Sequence, residues 1–290
     1  MNETQCKPAV NDAIERAQRC SPFLRLQLER FPHLASSLAA GEVEAALGDA
    51  RNEGQVEQVG AALRRERSAH ALVLGIADLA GFMALEQVTA ELSRLADRCL
   101  ERALAAAIAE RTPDQPTRGF AIIGLGKLGG SELNYSSDVD LIFVYDPAKL
   151  PRKPREEPDQ AAMRIAQRLV ELLQKRTEEG YAFRVDLRLR PSPEVTPIVL
   201  PVDAAISYYE SSALPWERAA FVRARAVAGD AELGRYFLEA LHPFVWRRSL
   251  DFGAIGEVQT ITRRIRDHYA QGQLFGPGYD VKRGRGGIRE

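Results

Sequence analysis

The most constraining feature of the sequence is a pair of apolar segments joined by a short, glycine-rich connection. The segments FAIIG and DVDLIFVYD are rich in β-branched and aromatic residues, and LGKLGGSELNYSS lies between them. Each segment has the length and composition of a strand that is buried in the middle of a sheet. The chain must therefore fold around at least two buried strands with the glycine turn between them.

The glycines of this turn have the spacing of a dinucleotide-binding motif, but their surroundings do not. A dinucleotide fold needs a crossover helix of about 10–15 residues between its parallel strands. Only SELNYSS separates Gly130 from Asp138, and its Asn and Ser residues favour turns over helices. The GK[ST] sequence of a P-loop is also missing after Gly129. The sequence predicts neither a dinucleotide fold nor a P-loop.

Two aspartates at the start of the second apolar segment indicate a different chemistry. Asp138 and Asp140 are two residues apart, so in a strand they project from one face, about 6.6–6.8 Å apart along the chain. Carboxylates this close repel each other unless a cation lies between them. Oxygen ligands without histidine or thiolate suit Mg²⁺ or Mn²⁺. The spacing alone is equally consistent with a pair of aspartates that only caps a turn.

A later segment, YAFRVDLRLRP, supplies a third carboxylate. Its strict alternation predicts a strand whose apolar and charged residues face opposite ways: Phe183, Val185, Leu187 and Leu189 on one side, and Arg184, Asp186, Arg188 and Arg190 on the other. If this strand lies beside the first, Asp186 joins the two aspartates, with arginines available for phosphate oxygens. That is the layout of a two-metal phosphoryl or nucleotidyl transfer site. The glycine turn would then bring backbone N–H groups to the phosphates.

Most of the remaining chain is predicted to be helical, so the expected fold class is α+β with a small mixed sheet between two helical regions. Apolar residues recur every three or four positions through residues 1 to about 112. We place the regions at 1–115, 116–201 and 202–290. Within them we predict strands near 119–124, 139–145 and 182–190, a helix from about 160 to 179, and almost continuous helix over 202–275. The terminal GPGYDVKRGRGGIRE is predicted to be poorly ordered.

Composition narrows the class of protein further. The formal net charge is −1, so any phosphate site must be local and no nucleic-acid partner is expected. The three cysteines contain no CxxC pair, which is typical of a reducing compartment. A bilayer-spanning apolar segment and a signal peptide are both missing from the sequence. Together these features predict a cytoplasmic protein without a membrane partner. The histidines are isolated and each is predicted to be structural or solvated: His33, His70, His242 and His268.

The stretch GLGKLGGSELNYSSDVDLIFVYD resembles the DNA polymerase β-like nucleotidyltransferases, in which Gly-Ser or Gly-Gly precedes a D-x-D. Here Gly126-Lys127 precedes Asp138 by ten intervening residues, and Lys127 stands where that superfamily usually has Ser or Gly. More narrowly, the stretch resembles the glutamine synthetase adenylyltransferase/adenylyl-removing enzyme family. RVDLRLRP, PWERAAFVRARAVAGD and DVKRGRGGIRE share that likeness, which covers most of residues 60–290. It implies a polymerase β-like mixed sheet flanked by N- and C-terminal helical regions.

The resemblance also implies roles for individual residues. Asp138, Asp140 and Asp186 would be the catalytic carboxylates that hold Mg²⁺ or Mn²⁺. Phosphate oxygens of ADP or ATP would be bound by Gly126, Lys127, Gly129, Gly130 and Ser137, with Arg188 and Arg190 as weaker candidates. A helix near the nucleotide would carry Glu217, Arg218, Arg223 and Arg225. An amphipathic helix anchored by Trp216 and Phe221 explains these last four residues equally well.

The reaction that the resemblance implies acts on a modified protein. NYSSDVD and GRGGIRE resemble the N-terminal, adenylyl-removing half of the family's tandem enzyme. That half would cleave adenylyl-O-tyrosine on glutamine synthetase with inorganic phosphate, release ADP, and so control nitrogen assimilation. The PII signal proteins would act through the full-length enzyme, and this chain would be a truncated form of it. Adenylyl transfer from ATP to the same tyrosine is one alternative, and a catalytically idle helical docking fragment is the other.

Overall fold

The computed structural model describes residues 3–246 and six separate residues beyond them, 256, 259, 260, 263, 276 and 279. Over 3–246 the helices are α1 (Glu3–Cys20), α2 (Pro22–Arg30), α3 (Pro32–Ala40), α4 (Val43–Asn52), α5 (Val59–Leu79), α6 (Leu85–Ala109), α7 (Gly126–Gly129), α8 (Pro158–Gln174), α9 (Val202–Ser211), α10 (Pro215–Phe221) and α11 (Ala231–Val245). The strands are β1 (Phe120–Gly124), β2 (Val139–Tyr145), β3 (Val185–Asp186), β4 (Val199–Pro201) and β5 (Arg225–Gly229). The predicted α+β class, mostly helical, is confirmed.

Helices α1 to α6 form the predicted N-terminal helical region. Local signals set their ends: the Ser21 hydroxyl accepts a hydrogen bond from the Leu24 amide at 3.2 Å and so caps α2. Gly41 ends α3 with a φ of +89°, a conformation that favours glycine. The two longest helices, α5 and α6, bury most of one face each and pack on each other. None of the helices in the described part of the chain is long and apolar enough to cross a membrane.

The sheet is mixed, with β1 and β2 at its centre. These two strands are antiparallel, from Phe120 opposite Tyr145 to Gly124 opposite Leu141. β5 extends the sheet on the other edge of β1, while β3 and β4 both run parallel to β2 on its far edge. The antiparallel β1–β2 pair excludes the parallel crossover of a dinucleotide fold, as the short connection predicted.

The two faces of the sheet bury two separate cores. Odd-numbered residues of β2, such as Val139 and Leu141, join the large core that includes the N-terminal helices and α8. Even-numbered residues, such as Ile142 and Val144, join a second core formed with α9 and α11. Both faces of β2 are therefore covered, which explains its continuous apolar run. The boundaries that we drew at 115 and 201 stay a prediction, and the large core includes residues on both sides of the first.

Several expected elements differ from the structure. The strand predicted over 182–190 is reduced to Val185–Asp186, and α8 ends at Gln174 rather than near residue 179. The predicted continuous helix from 202 is wrong, because β5 lies between α10 and α11. β4 was not predicted. The terminal stretch GPGYDVKRGRGGIRE falls almost wholly outside the described residues.

Candidate functional site

The glycine turn begins where β1 ends. The Leu125 amide donates to the Asp140 carbonyl at 2.9 Å, which fixes the turn to the start of β2. Gly126 then opens the short helix α7 with a φ of +54°. A Cβ at Gly126 would lie 2.7 Å from Oδ2 of Asp140. The missing side chain therefore lets the Asp140 carboxylate lie directly against the turn.

Two further glycines shape this turn from within. Gly129 is buried, and a Cβ there would lie 2.1 Å from the Arg223 carbonyl oxygen and 2.7 Å from that of Gly124. Its amide donates to the Leu125 carbonyl at 2.9 Å, and the Gly130 amide donates to that of Gly126 at 3.1 Å. These two amides are thus engaged inside the turn. The Lys127 side chain, in contrast, is exposed to solvent.

The pairing of β2 with β3 places two of the predicted carboxylates side by side. In this parallel pair Val139 is the register partner of Val185, and Asp140 is the register partner of Asp186. The two valines pack in the large core, so the two aspartates share the opposite face of the pair. Register partners on adjacent strands are about 4.8 Å apart. The sheet therefore brings together two carboxylates that are distant in sequence.

Asp138 and Asp186 are each paired with an arginine of the 184–188 segment. The Asp138 carboxylate forms an ion pair with Nε of Arg184. Asp186 is contacted by Arg188 through Nη2 at 2.5 Å and Nε at 2.9 Å. The hydrogen bond from Arg188 lowers the pKa of Asp186 below its ordinary value, and the pairing with Asp138 raises the pKa of Arg184. Asp186 is thus ionised at neutral pH.

The predicted convergence of all three aspartates is only partly seen. Asp140 and Asp186 are neighbours, whereas the Asp138 carboxylate is turned to Arg184 just before β2 begins. Among the residues that the structure describes, no three acidic, histidine or cysteine side chains are grouped as the ligands of one metal ion. The physical reason is charge: two of these carboxylates each lie closest to a guanidinium, which offsets their mutual repulsion. The ligand set remains a proposal.

The donors of this site nevertheless suit a hard divalent cation. All three are carboxylates, two of them occupy neighbouring positions on β2 and β3, and no imidazole or thiolate lies among them. Mg²⁺ and Mn²⁺ favour such oxygen ligands. The residues therefore fit the ion that the sequence implied, with Asp140 and Asp186 as the best-placed ligands.

Two other candidates for phosphate binding have partners within the protein. The Ser137 hydroxyl donates to the side chain of Asn134. Arg190 donates to the carbonyls of Leu187 at 2.9 Å and Pro193 at 2.6 Å, and so holds the loop after β3 in shape. Arg188, with 85% of its side chain exposed, is the better placed of the two arginines to reach a ligand.

The four residues expected on a helix near the nucleotide occupy different elements. Glu217 lies on α10 and is buried, where it accepts hydrogen bonds from the Leu214 amide and the Tyr208 hydroxyl. Arg218 lies over the ring of Phe244. These contacts fit the amphipathic-helix alternative for both residues.

The placement of the other two on that helix is wrong. Arg223 follows α10 in a turn and pairs with Glu132 beside the glycine turn. Arg225 lies on β5, forms two bonds to Asp97 at 2.8 and 2.9 Å, and donates to the Leu128 carbonyl at 3.2 Å. Arg225 therefore links α6 to the glycine turn from a partly buried position.

Sequence reasoning missed the partner of Asp138. Arg184 binds the carboxylate of Asp138, the carbonyl of Ser136 and the hydroxyl of Tyr181 at once. One signal could have identified it, since Arg184 alternates with Asp186 on the predicted polar face of the same segment. The alternation predicts arginines that bind phosphate oxygens, but a guanidinium that lies beside a carboxylate forms an ion pair with that carboxylate.

Comparison with known proteins agrees with this architecture. A small mixed sheet with a glycine turn against a carboxylate pair is consistent with the core of a nucleotidyltransferase. The family model described as glutamate-ammonia ligase adenylyltransferase matches residues 8–240. The chain belongs to this family.

Three relatives carry the name bifunctional glutamine synthetase adenylyltransferase/adenylyl-removing enzyme. The protein of Caulobacter vibrioides is 45% identical over 268 residues, which cover 89% of this chain and 27% of the relative. Those of Rhizobium meliloti and Mesorhizobium japonicum are 36% and 39% identical and cover 97% and 98% of this chain. The chain spans 27–31% of the length of these relatives.

Proposed function

We propose that this chain catalyses phosphorolysis of adenylyl-O-tyrosine on glutamine synthetase, releasing ADP. The observation that carries the proposal is the Asp140–Asp186 register pair beside the glycine turn, in a chain of this family. The relatives' names include both an adenylyltransferase and an adenylyl-removing activity. The choice of the removing activity rests on NYSSDVD and GRGGIRE, which resemble the half of the tandem enzyme that has it.

The reaction needs a nucleophile, a leaving group and charge stabilisation. An oxygen of inorganic phosphate attacks the adenylyl phosphorus, the phosphorus–oxygen bond to tyrosine breaks, and the proton of the phosphate passes to the phenolate. The products are ADP and unmodified tyrosine. No covalent enzyme intermediate is required, so the protein acts by positioning and by electrostatics.

The residues of the site divide this work. Asp138, Asp140 and Asp186 would hold Mg²⁺ or Mn²⁺, which when bound neutralises the charge of the reacting phosphates. The exposed Lys127 and Arg188 would contact phosphate oxygens, with the backbone at Gly126 beside them. Gly129 and Gly130 would contribute by keeping the turn in shape, since their amides are engaged there. The Ser137 hydroxyl, just before the start of β2, would also contact a phosphate oxygen.

A pair of assays tests the direction of the reaction. Adenylylated glutamine synthetase with phosphate and Mg²⁺ should yield ADP, whereas unmodified glutamine synthetase with ATP should release little pyrophosphate. Pyrophosphate release without phosphate-dependent ADP formation would show that the chain performs the forward transfer. The PII signal proteins are expected to act through the longer enzyme, so they are left out of both assays.

A docking fragment without catalysis predicts a third result. Such a fragment would bind glutamine synthetase but would produce neither ADP nor pyrophosphate. It would also fail to bind ADP or ATP in the presence of Mg²⁺. Calorimetric titration of the chain with ADP, with and without Mg²⁺, separates this alternative from an enzyme that is only slow.

A further inference from the structure

The Arg184 guanidinium makes three polar contacts within the protein. Its Nε pairs with Asp138, its Nη1 donates to the Tyr181 hydroxyl, and its Nη2 donates to the Ser136 carbonyl at 2.6 Å. Three acceptors from two different segments thus share one guanidinium. They tie the loop before β2 to the segment that leads into β3.

Tyr181, one of the three acceptors, also lies close to a second arginine. The guanidinium carbons of Arg67 and Arg184 both lie 5.6 Å from the ring centroid of Tyr181, within the range of cation–π attraction. Arg67 belongs to α5, a helix of the N-terminal region. Tyr181 therefore contacts both the Arg67 side chain of α5 and the Arg184 guanidinium that pairs with Asp138.

We propose that Arg184 is a positioning residue that competes with the divalent cation for the Asp138 carboxylate. The inference rests on the proposed function, because it assumes that Asp138 is a ligand of the cation. In the structure the Asp138 carboxylate faces Arg184, while Asp140 and Asp186 are neighbours on β2 and β3. Asp186 is itself paired with Arg188, whose side chain is 85% exposed, and Asp138 is held by Arg184, which a metal ion must displace to use that carboxylate.

The competition has a defined energetic consequence. The side chains of Arg184 and Asp138 are each 47% exposed, so their pairing is weak enough to be exchanged. When Arg184 is removed, the metal ion no longer has to displace a guanidinium from Asp138. Mn²⁺ should therefore bind more tightly when Arg184 is replaced, by about two- to fivefold, which is the range expected of an exposed ion pair. A nearby arginine that acts only through its electrostatic field would raise Mn²⁺ affinity equally with and without Asp138, so the dependence on Asp138 is what identifies direct competition.

The test is a double-mutant cycle on the full 290-residue chain. Mn²⁺ dissociation constants are measured by electron paramagnetic resonance of the free ion for the parent, Arg184→Met, Asp138→Asn and the double variant. We expect tighter binding in Arg184→Met and no such gain in the Asp138→Asn background, since the pair is already absent there. Arg176→Met, which removes an exposed arginine without a partner among the described residues, is the matched control for net charge and should bind Mn²⁺ like the parent.

Several results would overturn the proposal. One such result is unchanged or weaker Mn²⁺ binding in Arg184→Met. Another is an equal gain in affinity when Asp138→Asn is also present, because that gain would come from the electrostatic field of Arg184 and not from its pairing with Asp138. Mn²⁺ binding that does not saturate in either the parent or Arg184→Met also ends it. Melting temperatures are recorded for each protein, and if Arg184→Met is unfolded, Tyr181→Phe takes its place with a smaller gain expected. Retained phosphate-dependent activity in Asp140→Asn would instead end the proposed function.

Discussion

Asp140 and Asp186 are register partners in the parallel pair of β2 and β3, with the Asp140 carboxylate against Gly126. Their proximity is produced by Val139 and Val185, the register partners beside them, which face the large core. Because side chains alternate along a strand, burying the two valines forces both aspartates to the other face. The core thus fixes the position of the carboxylates before any ligand binds.

Replacing the aspartates with asparagine should separate cation binding from stability. Asp138→Asn and Asp140→Asn keep the size of the side chain and remove one charge each, so Mn²⁺ affinity should fall in both variants. The melting temperature in the presence of a chelator should change little, since an exposed ion pair contributes at most about 1 kcal/mol and the repulsion between carboxylates is relieved. Calorimetric Mn²⁺ titration and thermal denaturation check this. Unaltered Mn²⁺ affinity would indicate aspartates that merely cap a turn.

Steric contact at the glycine turn predicts a large loss of stability for alanine at Gly129 and a small one for alanine at the adjacent Gly130. A Cβ at Gly129 would meet the Arg223 carbonyl oxygen at 2.1 Å, and backbone there must shift to accommodate it. Gly129→Ala should therefore destabilise the fold by about 2–3 kcal/mol.

Gly130→Ala is the matched control for this prediction. The nearest atom to its Cβ would be Cδ of Arg223 at 3.2 Å, in a flexible and exposed side chain. Urea denaturation should show a cost below about 1 kcal/mol for this variant. Equal stabilities of the two alanine variants would contradict the packing that we describe.

The part of the fold that could be predicted from the sequence is the part governed by apolar periodicity. The central strands β1 and β2 are apolar on both faces, and their short connection excluded a crossover helix. β3 was overestimated because its alternation continues through Leu189, whereas the strand ends at Asp186 and the Asp186 carboxylate accepts a hydrogen bond from the Arg188 amide in the turn that follows. Arg190 then binds carbonyls of the loop. A pattern of hydrophobicity does not reveal which arginine will donate hydrogen bonds to backbone carbonyls.

β5 was missed because its residues also suit a helix. RAVAG is rich in alanine, which favours helices on propensity alone. In the structure these small residues allow α11 to pack closely on β5, since a Cβ at Gly234 of α11 would lie 2.7 Å from Cβ of Ala226. Close crossing of α11 over β5 requires small side chains on both elements. Such a tertiary requirement leaves no periodic signal in the sequence.

Arg225 should matter for stability more than its neighbour Arg223. Arg225 joins Asp97 of α6 to the Leu128 carbonyl in a partly buried position. Arg225→Met leaves these acceptors without their donor and should cost about 1–3 kcal/mol. Arg223→Met removes an exposed pair with Glu132 and should cost at most about 1 kcal/mol. Thermal denaturation compares the two, and a larger loss for Arg223→Met would refute this link.

His70 should make stability depend on pH. Burial lowers its pKa from 6.5 to about 4. Its Nδ1 lies 3.0 Å from the Glu66 carbonyl, and Arg98 donates to its Nε2 at 3.0 Å, which requires a neutral ring. Between pH 6.5 and 4 the unfolded chain binds the proton and the folded chain does not, so this contribution is complete above pH 6.5 and is lost as the pH falls.

Denaturation across this pH range tests the assignment to His70. The lost stability should amount to about 3 kcal/mol by pH 4, on top of contributions from carboxyl groups. His70→Gln should flatten the curve between pH 6.5 and 4 even if the variant is less stable throughout. His242→Gln, which replaces an exposed histidine, should keep the parental slope. An unchanged slope in His70→Gln would disprove the assignment.

The central claim is that the Asp140–Asp186 pair forms a nucleotidyl transfer site, and one measurement tests it most directly. Phosphate-dependent ADP release from adenylylated glutamine synthetase is followed for the parent, Asp140→Asn and Asp114→Asn, which replaces an exposed aspartate of a distant turn. We expect Asp140→Asn to lose activity by orders of magnitude, because charge stabilisation of the transition state is worth several kcal/mol, and Asp114→Asn to retain it. Near-parental ADP release by a folded Asp140→Asn protein would contradict the account.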